Sequence, residues 1–198
     1  MDGKSKILDA ARRVIIRNGV NGATVRAIAT EADMTTGAIY HHYKNKEDLL
    51  YDLLNESLSV SSQIAREVTN VPLPKDQIKK EIFRNTAERF HKDAENRLQY
   101  HYAHEVLLGN MEAQAKLKDK YSEWTNQIEQ ILIHLYGLED TRFNKPFSSW
   151  LIAAVDGVVL QYLLDVNENS VDEMMEVFDI LLDRGLESFV ERLNERGE

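Results

Sequence analysis

The sequence predicts an all-α protein: an N-terminal three-helix helix-turn-helix domain followed by a longer helical domain, about nine helices in total. Three observations lead there. Apolar residues recur every three to four positions along most of the chain. Only 3 Pro and 9 Gly occur in 198 residues, too few for a multi-hairpin fold. No apolar–polar alternation of useful length marks a strand. Composition narrows the function. With 43% hydrophobic residues the chain can bury a core, which excludes a disordered acidic tail despite the net charge of -9. The absence of cysteine excludes a disulfide framework, a thiolate metal site and a thiol nucleophile, and fits a reducing cytosol. Met1 to Lys6 runs straight into an amphipathic segment, which argues against a signal peptide. The longest apolar stretch, Trp150 to Leu164, has 15 residues and includes Asp156 and Gln161, too short and polar to span a bilayer. A soluble chain with no membrane partner and a cytoplasmic location is expected.

Ile7, Ala10, Ala11, Val14 and Ile15 form the apolar stripe of a first helix, and Asn18-Gly19 supplies residues suited to its C-cap. Thr24 is placed to cap a second helix, with Val25, Ile28, Ala29 and Ala32 inward. Asp33 tolerates the backbone of a tight turn. Thr35 then caps a third helix running to about Tyr43, and Asn45 opens a fourth with Glu47 and Asp48 in its first turn. Two short helices across a tight turn, braced by a first, make a helix-turn-helix over about residues 24–43. Charge marks the same segment. Residues 1–46 hold eight basic and four acidic side chains, net +4, which leaves -13 on the remainder. A basic module on an acidic body points to nucleic acid at one end only.

The run from Ile28-Ala29 through Ala32-Asp33-Met34-Thr35-Thr36-Gly37-Ala38-Ile39-Tyr40-His41-His42-Tyr43 to Lys44-Asn45-Lys46-Glu47-Asp48-Leu49 resembles the DNA-binding domain of the TetR family of bacterial transcriptional regulators (TetR/AcrR-like). The resemblance covers roughly residues 5–50. It departs from the family at Asp33 (usually Gly), Val20 (often aromatic) and Tyr43 (usually Phe), in ways that keep the backbone or packing role. It implies a homeodomain-like domain at 1–46, a helical ligand-binding and dimerisation domain at 47–198, and double-stranded DNA as partner.

On this reading the third helix enters the major groove. Thr35 and Thr36 offer hydroxyls and amides to phosphate, or Thr36 reaches a base edge. Gly37 admits close approach of DNA or, alternatively, of the first helix. Tyr40 bonds phosphate, His41 reads bases, and His42 either faces the backbone or packs inward, with Tyr43 projecting from the same helix. Ile39 is core. Lys46 sits where a helix dipole disfavours a cation, which a bound phosphate would reverse; the alternative is a bridge to Glu47 or Asp48. Thr24 and Arg26 are further phosphate contacts.

The remainder reads as a long helix from Asn45 to about Val68, a stop at Val71-Pro72-Leu73-Pro74, and helices at about 75–93, 96–108, 111–136, 143–165 and 171–194. The last two have more apolar surface than one side can bury, and they are expected to pair with a second copy in a homodimer. By resemblance the body also holds an unknown small-molecule effector. Candidate pocket residues are Phe90, His101, His104, Trp124, Trp150, Asp156 and Tyr162, with the two tryptophans better suited to the core than to stacking on a ligand. Asp156 either bonds a neighbour such as a tyrosine hydroxyl or faces a cationic ligand. His101, His104 and Glu105 share helical spacing, but no further cluster completes a metal site, so neither metal nor cofactor is expected. No catalytic motif appears, and no enzyme activity is expected. The sum is a DNA-binding repressor released by an inducer; the alternative is a helical interaction bundle that binds no operator.

Overall fold

The computed structural model describes residues 2–56 and 74–197. Among these residues all regular structure is helical, and no strand occurs. The described residues fall into two compact units. One holds residues 2–56 and 92–114; the other holds 74–91 and 115–197.

In the first unit, α1 (Gly3–Gly22) begins where the Asp2 side chain accepts the Ser5 amide at 2.7 Å. It breaks at Gly19, whose φ of 72° favours glycine. Thr24 caps α2 (Val25–Glu31) by accepting the Ala27 amide at 3.1 Å, and Thr35 caps α3 (Thr36–His42) through the Ala38 amide at 3.1 Å. Between them Asp33 takes the positive φ of 51° that the tight turn requires. Asn45 accepts the Asp48 amide at 2.7 Å and opens α4, described over 46–56. The expected caps and turn residue are therefore in place. Ile7, Ala10, Ala11, Val14 and Ile15 are buried with Ile28 and Ile39, and Leu49 and Leu53 of α4 join them. Each such isoleucine or leucine stabilises the fold by about 1.5–3 kcal/mol.

The change of charge at residue 46 does not coincide with the edge of this unit, because α4 is buried along Leu49, Leu50, Leu53 and Leu54. α6 (Asp93–Leu107) belongs to it as well. Ala94 and Leu98 are buried against α1, and the Tyr102 hydroxyl donates to the Glu47 carbonyl at 3.4 Å. The expected extension of α4 to Val68 and most of the Val71–Pro74 stop lie outside the described residues.

The second unit contains α5 (Lys75–Phe90), most of α7 (Met111–Tyr136), α8 (Asn144–Leu163), α9 (Val171–Ile180) and α10 (Leu186–Gly197). Ile78, Ile131 and Leu135 form one core cluster; Leu132, Leu138, Phe147, Leu182, Leu186 and Val190 form another. The helix expected over 171–194 is divided by a π-helical turn, Leu181–Gly185. This wider turn leaves carbonyls accessible to outside donors. The Tyr136 hydroxyl donates to the Leu182 carbonyl, and Lys79 Nζ donates to the Asp183 carbonyl at 3.2 Å and to its carboxylate at 3.0 Å.

α8 has 20 residues and, by length and composition, is long and apolar enough to cross a membrane, beyond what its 15-residue apolar stretch indicated. One side carries Phe147, Ser148 and Val159 into the unit, where Asp156 is hydrogen-bonded. The other side leaves Trp150, Ala153 and Ala154 exposed.

Candidate nucleic-acid interface

The outer surface of α3 follows from its own periodicity. Ile39 is anchored in the core at 1% exposure, which turns Thr36, Gly37, Tyr40 and His41 outward. Tyr40 is 56% exposed, a large amphipathic ring with no core to fill. A Cβ added at Gly37 would meet only the Thr35 hydroxyl, at 3.7 Å. Close packing on α1 therefore does not explain this glycine, and its outer side is open. His42 is exposed as well, stands edge-on to His41 at 5.5 Å, and its imidazole lies beside Gly3.

Tyr43 requires a correction. Expected on the DNA-facing surface, it is 8% exposed, and its hydroxyl donates to Asp52 at 2.7 Å. Lys4 pairs with the same carboxylate at 2.9 Å. The backbone turns extended at Tyr43, so the ring leaves the α3 face and packs between α3 and α4. Burial, reinforced by Asp52, holds the phenol well above the ordinary tyrosine value.

Lys46 is half-buried, and its Nζ donates to the Val20 carbonyl at 3.2 Å. It bridges neither Glu47 nor Asp48; the carbonyl near the end of α1 offsets its unfavourable place on the α4 dipole. An ammonium has three donors, so this bond leaves two for another acceptor.

Several of the eight basic side chains of residues 1–46 are committed inside the unit. Arg13 and Arg17 both bind Glu31 at 2.7 Å, and Arg12 is surrounded by carboxylates. Lys6, Arg26 and Lys44 are exposed and have no ion pair among the described residues. Arg26 and Thr24 line a surface depression with Arg17 and Thr30. Sequence counting gave the sign of this end but not which cations are available.

The effector candidates do not all come together. In the second unit Phe90 meets Tyr162 edge-on at 5.2 Å. Asp156 accepts the Tyr121 hydroxyl at 2.6 Å, resolving the two readings in favour of a tyrosine partner, and Arg89 lies 3.8 Å away. Tyr121 and Arg89 are the members of this group that sequence reading missed; only tertiary packing pairs them. Trp124 is buried against Tyr121, as a core residue. Trp150 is neither core nor cavity lining: it is 65% exposed on the outer side of α8. His101 and His104 belong to the first unit, where burial holds His101 below its ordinary value. Among the described residues no group of three or more histidines and carboxylates is arranged to hold a metal ion.

Fold and exposed face together define a helix-turn-helix module of the kind that presents one short helix outward. Residues 7–53 match the family described as bacterial regulatory proteins, tetR family. The chain is 32% identical over 75 residues to the HTH-type transcriptional repressor AcnR of Corynebacterium diphtheriae, covering 38% of this chain and 40% of that repressor. It thus spans less than half the length of the curated relatives it matches. Two solved structures share the fold through both units. One is FadR from Bacillus subtilis in complex with stearoyl-CoA, with TM-score 0.66, 20% identity, and 91% and 98% of the two chains covered. The other is the fatty acid degradation regulator FadR from Bacillus halodurans, with TM-score 0.67, 20% identity, and 90% and 96% covered. Residues 7–53 therefore carry the likeness to the tetR family of bacterial regulatory proteins, and the solved structures extend the likeness of fold to both units.

Proposed function

We propose that this chain is a ligand-responsive transcriptional repressor of the bacterial cytoplasm, binding a palindromic operator as a homodimer and leaving it when a small molecule binds. The observation that carries the reading is the outer face of α3, where Thr36, Gly37, Tyr40 and His41 stand exposed with no packing role. Arg26 and Lys44, exposed in the same unit, are available for phosphate. In the division of labour proposed here, Thr36 and His41 touch bases. Thr24, Arg26, Thr35, Tyr40, His42 and the spare donors of Lys46 hold the backbone.

A single module buries too little DNA for tight binding, so a second copy is part of the proposal. The outer side of α8 and the exposed Val177, Ile180 and Phe189 of α9 and α10 supply its surface. Phe189 lies against Phe147, one helical turn from Trp150, at 4.7 Å between ring centres. The effector-binding body is supported by FadR of Bacillus subtilis, which shares the fold and was solved with stearoyl-CoA. In this chain the proposed effector residues are Phe90 and Tyr162 of the second unit, which stand edge-on to each other.

Selection of bound duplexes from random DNA tests the reading, and a two-fold symmetric sequence with half-sites about one helical turn apart is expected. Arg26→Ala should weaken binding to every duplex and reduce the salt slope by about 1. Thr36→Val or His41→Ala should instead change which duplexes are selected. Recovery of no duplex at low ionic strength would favour the interaction-bundle reading.

A further inference from the structure

The guanidinium of Arg12 divides its nitrogens among three helices. Nη1 donates to Asp9 of α1 at 2.6 Å, Nη2 to Glu56 of α4 at 2.7 Å, and Nε to Glu95 of α6 at 2.7 Å. Those last two positions are special in the chain path. Glu56 is the last described residue before the chain passes into the second unit, and Glu95 follows closely after its return at Lys92. One side chain on the first helix thus holds α4 and α6 near two of the three points at which the chain passes between the units.

This is an expensive way to stick helices together. Glu95 is 6% exposed beside Ala94 and Leu98, where an apolar residue would pack at no desolvation cost. A rigid planar fork bonded on three sides instead specifies direction and register.

We propose that Arg12 is a positioning residue: it sets α1, and with it the α2–α3 module, against the described end of α4 and the start of α6, through Glu56 and Glu95. The proposal rests on the DNA-binding reading above. Arg12 touches no DNA in this scheme; it acts through the placement of α3.

The test uses the full chain and a duplex recovered by the selection above. Glu95→Gln keeps shape and removes the charge; Arg12→Lys keeps the charge but loses the fork, and carries the same readouts if the first variant fails to fold. Either should lower affinity at least 10-fold, by fluorescence anisotropy below the melting temperature, with the salt slope of the unsubstituted chain retained because no phosphate contact is lost. Arg26→Ala, the contact control, should flatten that slope. Because the chain has no cysteine, spin labels at Lys44→Cys and Arg97→Cys report the geometry of the unit without DNA. Their distance distribution, measured on labelled chain diluted into unlabelled protein, should broaden in Glu95→Gln. Affinity within twofold of the unsubstituted chain with an unchanged distribution would overturn the proposal, as would a loss of affinity accompanied by a flatter slope. If the unsubstituted chain binds no duplex, the DNA reading fails, while the spin-label distances still decide the role of Arg12.

Discussion

Tyr43 shows how far one side chain can depart from the role its position suggests. It ends the helix that presents Tyr40 and His41, yet it is buried with its hydroxyl on Asp52. Tyr43→Phe should therefore cost about 1 kcal/mol of stability through the lost hydrogen bond and leave duplex affinity unchanged. Thermal melts paired with anisotropy check both. The same contact predicts a pH effect. A phenol raised in the folded state binds its proton where the unfolded chain has released it, so its stabilisation is complete below about pH 10 and is lost as the pH rises further. Tyr102 and Tyr136, raised chiefly by burial, act in the same direction. Melts between pH 8 and about pH 11 should show this fall, and Tyr43→Phe should make it shallower. The residue identities of Lys46 and Arg12 were plain in the sequence, but their partners were not. Val20, Glu56 and Glu95 lie 26, 44 and 83 positions away, respectively.

At the scale of elements, caps were the most legible feature. Asp, Asn, Ser or Thr before an apolar run has a local job, satisfying the free amides of the first turn, and Thr24, Thr35 and Asn45 each do it. Ser170 completes a capping box with Glu173 at the start of α9: its hydroxyl accepts the Glu173 amide at 3.2 Å, and its own amide donates to that carboxylate at 2.7 Å. Ser170→Ala should cost about 1 kcal/mol. The melting temperature should fall by about 2–4 °C, read by circular dichroism. The π-helical turn was not legible. The apolar spacing through Leu181, Leu182 and Leu186 suits a regular helix equally well, and the turn is settled by donors from other helices, Tyr136 and Lys79.

For the whole molecule, α8, α9 and α10 leave Trp150, Val177, Ile180 and Phe189 exposed, and a second copy is their proposed cover. Trp150→Glu places a carboxylate among them. It should convert a dimer to a monomer in sedimentation velocity, weaken operator binding by at least about 100-fold through loss of bivalency, and leave the chain folded because Trp150 supports no core. A dimer that survives this substitution would put the interface elsewhere. The body outside that face carries acidic positions along α9 and α10, among them Asp172, Glu176, Asp179, Glu187 and Glu191, all exposed. Such a surface repels DNA, which in the proposed reading leaves the basic end to dock.

What the sequence determined by itself was whatever depends on neighbours along the chain: helical periodicity, caps, the turn at Asp33, the outward face of α3 and the excess of positive charge at one end. These are short-range consequences of backbone geometry and side-chain type. Tertiary structure alone decided which charges are committed. It paired Arg12, Arg13 and Arg17 with carboxylates, left Arg26 and Lys44 exposed without an ion pair among the described residues, buried Tyr43 and exposed Trp150. An ion pair or a buried hydroxyl needs a partner brought from another helix, and that distance is set by packing rather than by spacing in the chain.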